Sequence, residues 1–344
     1  MSEINKHANT LSNSRNGVVL FVFIVITVFL IVISGFRPVG FDNDSLAYQS
    51  AVSSILDGQY DIKEPTFILL AWLDGFVFNN NIAILFITYA LIAITIKMVA
   101  IYKYSQVPLM SLVIYLCMYF TLHDLTQIRV GAAAAFFLLA IPDLTERKVK
   151  PYLIKISIAC AFHFSCIILF PLILFSNKRL NIKIYFLMPF FALAAVLLVQ
   201  NMDAMLIYFF SYFPGPLGTK AIGYINNLNL GRFDNVNVFS KFSLCVFSFF
   251  IIYAVALIKY RKPPKEDVIY FKIMSVMLVI FYVFSSVPVL ASRTFELFGV
   301  SLILSLPSLT LKIKQKYFMG CVFIVWAIIY FCVVNVKLLN FEVL

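Results

Sequence analysis

Residues 123–140 read HDLTQIRVGAAAAFFLLA, a polar and ionisable beginning followed by an apolar run of small residues. The run belongs in lipid, and its small side chains let a second helix pack closely against it. Arg129 stands at its mouth, where a hydrocarbon-embedded segment should carry no charge. Helices of this kind, not strands, decide the fold. Stretches long enough to cross a hydrocarbon core of about 30 Å, which takes about 20 helical residues, recur at 18–33, 82–101, 109–122, 128–141, 184–199, 238–258, 268–287, 294–311 and 317–336.

Composition agrees. Of 344 residues, 62% are hydrophobic and 12% charged, and the mean hydropathy is +0.96, a balance that excludes a soluble globular domain of this size. The six cysteines all fall in apolar segments without paired-ligand spacing and read as small buried hydrophobes. The opening MSEINKHANTLSNSRNG is polar, and the run behind it is too long for a signal-peptide core and lacks a small-residue cleavage site. It is expected to be an uncleaved first span. A net charge of +11 is the signature of cytoplasmic loops rather than of a nucleic-acid partner.

The expected fold is an all-α polytopic integral membrane protein, with about 9–11 transmembrane helices plus re-entrant or interfacial helices. A cytoplasmic tail at 1–17 precedes a single transmembrane domain at 18–344, with outer loops at about 35–81 and 200–237. With the N-terminus inside, Lys97, Lys103, the Arg147, Lys148 and Lys150 cluster, and the loops SNKRLNIK, KYRKPPKED and KIKQK all reach the cytoplasm. HDLTQ is then an outer turn. TFILLAWLDGFVF is too short to span and is expected to dip into the outer face, while 151–175 enters and leaves on one side as two half-helices hinged near His163.

This orientation gathers Asp42, Asp44, Glu64, His123, Asp124, Arg129, Lys220, Arg232, Arg293 and Glu296 on the outer side or just inside the membrane there. A basic, mixed-charge outer cavity calls for a partner, and an anion is the economical one. Arg129 at a helix start suits bidentate phosphate binding, or it anchors to headgroups or pairs with Asp124. Arg293, in SRTFELF at another expected outer helix start, could share a diphosphate with it, or pair with Glu296 one turn on. His163, flanked by apolar residues in CAFHFSC, is a structural hydrogen-bonder or a base. Asp42, Asp44 and Glu64 could take a proton from a sugar hydroxyl or cap helices, Asp44 being a good N-cap residue before SLAYQSAVSSIL. The DND triplet lacks an EF-hand continuation, and no His/Cys cluster accompanies it, so no metal is expected. Lys220, Tyr224 and Arg232 stand in an aromatic-rich outer loop that suits sugar faces and the interface belt alike.

GFDNDSLAYQ, EPTFILLAWL, QIRVGAAAAFFLLA, AFHFSCIILFPL and SRTFELF resemble, in order, the landmarks of the EpsG-like, Wzy-type bacterial surface polysaccharide polymerases. The order and spacing carry the resemblance, over about residues 40–298. Thr66 after Glu-Pro and Val130 after Arg129 depart from the usual pattern. The resemblance implies a GT-C-like glycosyltransferase of the bacterial inner membrane, facing the periplasm or cell exterior. It would join undecaprenyl-diphosphate-linked oligosaccharide repeat units into O-antigen or a related polysaccharide, with no cofactor and with a chain-length regulator as a further partner. Arg129, Arg293, Lys220 and Arg232 would hold the diphosphate. Glu64, Asp44, Asp42 and His163 would orient or deprotonate the acceptor, and Tyr48, Tyr224 and Gln127 would contact glycan. The rival is a flippase for lipid-linked sugars, which would show inverted repeats; the sequence has no internal repeat.

Overall fold

The computed structural model describes residues 2–60, 64–79, 81–178, 182–199, 202–212, 216–230, 236–260 and 262–341, and within these ranges the side chains from 17 onward except those of 202–203, 216–217, 220–221, 224 and 228–229. Among these residues the elements are helical. In chain order they are α1 Ser2–Gly35, α2 Ser45–Leu56, α3 Pro65–Phe78, α4 Ile82–Tyr104, α5 Pro108–Tyr115, a π-helix Leu116–Thr126, α6 Ile128–Glu146, α7 Val149–Phe162 and a 3-10 helix Phe164–Leu174. There follow α8 Ile182–Leu198, α9 Met202–Ser211, α10 Pro216–Asn229, α11 Lys241–Ile258, α12 Lys265–Val283, α13 Pro288–Gly299, α14 Leu302–Thr310, α15 Lys316–Val333 and a 3-10 turn Asn335–Leu338.

Six helices in the described residues are long and apolar enough to cross a membrane: Gly17–Gly35, Ile82–Tyr104, Pro108–Thr126, Ile128–Glu146, Lys241–Ile258 and Lys316–Leu338. A seventh is available if α13 and α14, bent by 51° at their junction, count as one span. This is an all-α polytopic membrane protein. Each of the nine apolar stretches is largely helical, but α8 has only 17 residues and α12 carries Lys265, Glu266, Asp267 and Lys272. The chain forms two compact units, one of Met1–Ala140, Leu153–Ile167 and Gly320–Leu344, the other of Ile141–Tyr152 and Ile168–Met319.

In the first unit α1 runs antiparallel to α4. Phe23 meets Tyr102 edge-on at 5.6 Å at one end, and Gly35 lies against Ile87 at the other, where a Cβ would come within 2.5 Å of Ile87 Cγ1. The π-helix corrects the expectation of an outer turn at HDLTQ. The helix begun at Pro108 runs on through Thr126, so His123 and Asp124 are buried within it. Asp124 Oδ1 accepts from Lys97 Nζ at 2.7 Å, and Oδ2 accepts from Tyr115 Oη at 2.7 Å. Lys97 is therefore buried in an ion pair, not delivered to the cytoplasm, because its ammonium finds a carboxylate within the bundle. Residues nine apart stand on opposite faces of an α-helix with 3.6 residues per turn. The wider π turn is what lets Tyr115 and Asp124 meet. Asn335 closes the arrangement, its amide donating to the Cys117 and Met118 carbonyls at 2.8 and 3.1 Å. Gly131 then allows α6 to return along the π-helix, since a Cβ there would overlap the His123 carbonyl. The small residues Ala132–Ala135 behind it are fully buried.

In the second unit α12 packs against α8 and α13, with Phe250 and Phe271 stacked at 4.7 Å. Here basic residues bind carbonyls at the end of the 3-10 helix: Arg147 Nη1 donates to Phe175 O and Lys272 Nζ to Ser176 O, each at 2.6 Å.

Candidate functional site

Glu64 is the centre of the site. It occupies the N-cap position of α3 with extended backbone, and Pro65 opens the helix, but its side chain makes no cap bond. The carboxylate is directed elsewhere. Oε2 accepts from Arg129 Nη1 at 2.8 Å and Oε1 faces His163 Nδ1 at 3.1 Å. Three stretches 65 and 99 residues apart in the chain thus converge on one carboxylate.

Each partner is placed by its own local structure. Arg129 is the second residue of α6, directly after the π-helix ends at Thr126 and Gln127. His163 stands in the break between α7 and the following 3-10 helix, the hinge expected from CAFHFSC. Thr66 Oγ1 donates to Ala161 O at 2.7 Å and ties the start of α3 to that hinge. Aromatic rings wall the site. The Arg129 guanidinium lies 5.7 Å from the ring centroids of both Tyr48 and Phe67, and Phe67, Tyr89 and Phe162 continue the wall, with Tyr89 5.8 Å from Phe162.

The electrostatics follow from this packing. Burial alone raises the Glu64 pKa, but the His163 hydrogen bond and the Arg129 charge outweigh it, and the carboxyl lies below its ordinary value. Glu64 is ionised at neutral pH, so His163 Nδ1 carries the proton it offers, and in the neutral ring Nε2 holds the lone pair. Arg129 is not saturated: its Nε is buried without a hydrogen-bond partner. The side chains of Arg129, His163 and Glu64 remain 20%, 13% and 9% exposed. The cluster combines a carboxylate, an imidazole and a guanidinium with donor capacity to spare, and it is not fully sealed. That set can move a proton and hold an anion.

The sequence model of the EpsG family matches residues 20–343, a stretch that takes in all three converging segments. The chain belongs to the EpsG family. No curated protein and no solved structure matches it.

Of the other residues singled out in this EpsG-family chain, Tyr48 joins the wall of the site, and the rest lie apart from that carboxylate or outside the described side chains. Asp42 is engaged by Arg37 Nε at 2.9 Å and accepts the Asp44 and Ser45 amides at 3.0 Å each. It, rather than Asp44, supplies the carboxylate at the start of α2; Asp44 holds the N-cap position without a side-chain cap bond. Tyr48 is buried, its ring given to Arg129 and Phe67 rather than to an open surface. Gln127 is half-buried where the π-helix ends. Arg293 does not start a helix: α13 begins at Pro288 and carries Arg293 in its interior in the second unit, because Pro288 nucleates the helix earlier than expected. Asp124 pairs with Lys97, so the alternative Arg129–Asp124 pair is replaced by Arg129–Glu64. The side chains of Lys220 and Tyr224, on α10, and all of Arg232 lie outside the described residues. Among the described residues no group of three His, Cys, Asp or Glu side chains is arranged to hold a metal.

Sequence reasoning singled out Tyr48 but missed the rest of the aromatic wall, and it missed the pairing of Lys97. Tyr89 and Phe162 sit in stretches whose composition is uniformly apolar, and nothing in them announces a site. Lys97 carried a signal: it lies inside an apolar span, seven residues before its end, and an ionisable group at that depth calls for a partner.

Proposed function

We propose that this EpsG-family protein is a membrane glycosyltransferase that polymerises polyprenyl-diphosphate-linked repeat units into a surface polysaccharide, working on the outer face of the bacterial inner membrane. The observation that carries the reading is the convergence of Arg129 and His163 on Glu64, which unites the two chemistries such a transfer needs. An acceptor sugar hydroxyl must lose a proton, its oxygen must bond to the donor's anomeric carbon, and the bond from that carbon to the diphosphate must break. Arg129 takes the departing diphosphate, which stabilises the charge that develops on it. Glu64, with His163 beside it, takes the acceptor proton.

The resting ion pair gives these roles an order. While Arg129 is on Glu64 it contributes to holding the carboxyl low, and a weakly basic carboxylate is a poor proton acceptor. The unpartnered Nε of Arg129 supports a shift of the guanidinium toward phosphate. As it turns, Glu64 loses one of its two acidifying neighbours and becomes the stronger base. Donor binding thereby prepares acceptor activation. The reading assigns charge neutralisation to the arginine rather than to a metal ion, and takes an undecaprenyl chain as the donor's lipid.

The test is to replace Arg129 with Ala and Glu64 with Gln in the native host, confirm normal abundance in the membrane, and resolve the surface polysaccharide on a gel. Polymerisation predicts loss of the long-chain ladder while single repeat units still reach the surface. An intact ladder would overturn the site, and repeat units stranded inside would turn the reading to transport. Arg293→Ala, run alongside, reports separately on the arginine of the second unit.

A further inference from the structure

A second feature of the first unit is independent of that site. Between α1 and α4 lies an open groove of about 450 Å³ lined by Leu20, Phe23, Ile24, Val28, Ile31 and Met98 among others, with Tyr102 and Lys103 at one end. Two of its polar members are spent or terminal. Thr27 Oγ1 donates to its own helix at Phe23 O, leaving its methyl to the groove, and Lys103 stands exposed in the last turn of α4. Along α1 the lining runs from Leu20 to Ile31, about 17 Å at 1.5 Å per residue, which matches one leaflet's share, about 15 Å, of a hydrocarbon core. The antiparallel packing puts Lys103 beside the Leu20 end, so a molecule lying in the groove presents its head to the ammonium and its tail toward the bilayer centre. Lys103 has no carboxylate partner among the described residues. Along α4 the groove's basic end is fourteen residues, about 21 Å, from Tyr89 and the Glu64 cluster.

We infer that this groove holds one acyl chain of an anionic phospholipid whose phosphate rests on Lys103. Depth matched to one leaflet, an apolar lining and the Lys103 ammonium at the headgroup end identify the occupant as a lipid. The cation selects a negative headgroup over a zwitterionic one.

The experiment uses the purified full chain, equilibrated with equal amounts of phosphatidylglycerol and phosphatidylcholine of the same acyl composition, with retained lipid counted by native mass spectrometry. Phosphatidylglycerol should be retained about fivefold over phosphatidylcholine, the preference one lysine confers at a membrane surface. Lys103→Ala should erase that preference and Lys103→Arg should keep it. Thr95 of α4 also lines the groove, and Thr95→Trp, which fills it, should lower retention of both lipids. Equal retention of the two lipids by the native chain, or a preference unchanged in Lys103→Ala, would overturn the inference, as would undiminished retention in Thr95→Trp.

Discussion

Two polar clusters in the first unit are built from the same chemistry and differ in what surrounds them. Lys97, Asp124 and Tyr115 form a closed set in which both side chains of the ion pair are fully buried and each carboxylate oxygen has a donor. Arg129, Glu64 and His163 form an open set with exposed surface and an unpartnered guanidinium nitrogen. A sealed pair repays its desolvation only through its own geometry, so its worth lies in fixing the fold. An open pair with spare donors can exchange partners. The difference separates the residues that shape the π-helix from those able to meet a substrate, and neither charge nor residue type alone makes that distinction.

Removing one partner from each cluster should break this comparison if it is wrong. The largest effect on folding is expected from Asp124→Ala, which strands the Lys97 ammonium in the bundle. A cost of about 3–5 kcal/mol is typical of such a change, and it should appear as lost membrane abundance and a lowered Tm in detergent. Gly131→Val comes next. It drives side-chain atoms into the His123 carbonyl, an overpacking of about 1–3 kcal/mol, read by the same thermal melt. Glu64→Gln is expected to change stability least, since Gln keeps the side-chain volume and an oxygen that can accept from Arg129; its effect should fall on the polysaccharide ladder instead. A stability loss from Glu64→Gln as large as that from Asp124→Ala would erase the distinction.

pH sharpens the same comparison. The folded Glu64 carboxyl titrates below its ordinary value, so its contribution to stability is fully present above the usual glutamate range, near about 4.3, and is lost as pH falls through the depressed value. The difference in Tm between the native chain and Glu64→Gln should therefore stay constant across neutral pH and shrink only in acid. A difference that vanished near neutrality would mean that Glu64 is protonated in the fold.

Much of this was legible in the sequence, residue by residue. Pro65 announces the start of α3 and leaves Glu64 at its mouth; an arginine heading an apolar run marks itself; and an apolar stretch at 151–175 with basic loops on both sides implies a hinge near His163. What the sequence did not yield was their convergence, because contacts 65 and 99 residues apart are set by tertiary packing that no local pattern encodes. The π-helix was illegible for a related reason. Its extra width is stabilised by Lys97 from another helix and by Asn335 from the far end of the chain, so the local sequence HDLTQ reads as a polar turn. Asp42 and Asp44 illustrate the limit at short range: both are placed to cap α2, and only the Arg37 contact assigns the carboxylate to Asp42.

The most direct test of the account is the polysaccharide made by Glu64→Gln at native membrane abundance, compared with Glu64→Asp, which keeps the carboxylate. The account predicts that Gln abolishes the long-chain ladder, with single repeat units still displayed, and that Asp restores part of it. A full ladder from Glu64→Gln would contradict the assignment of this cluster as the site of polymerisation.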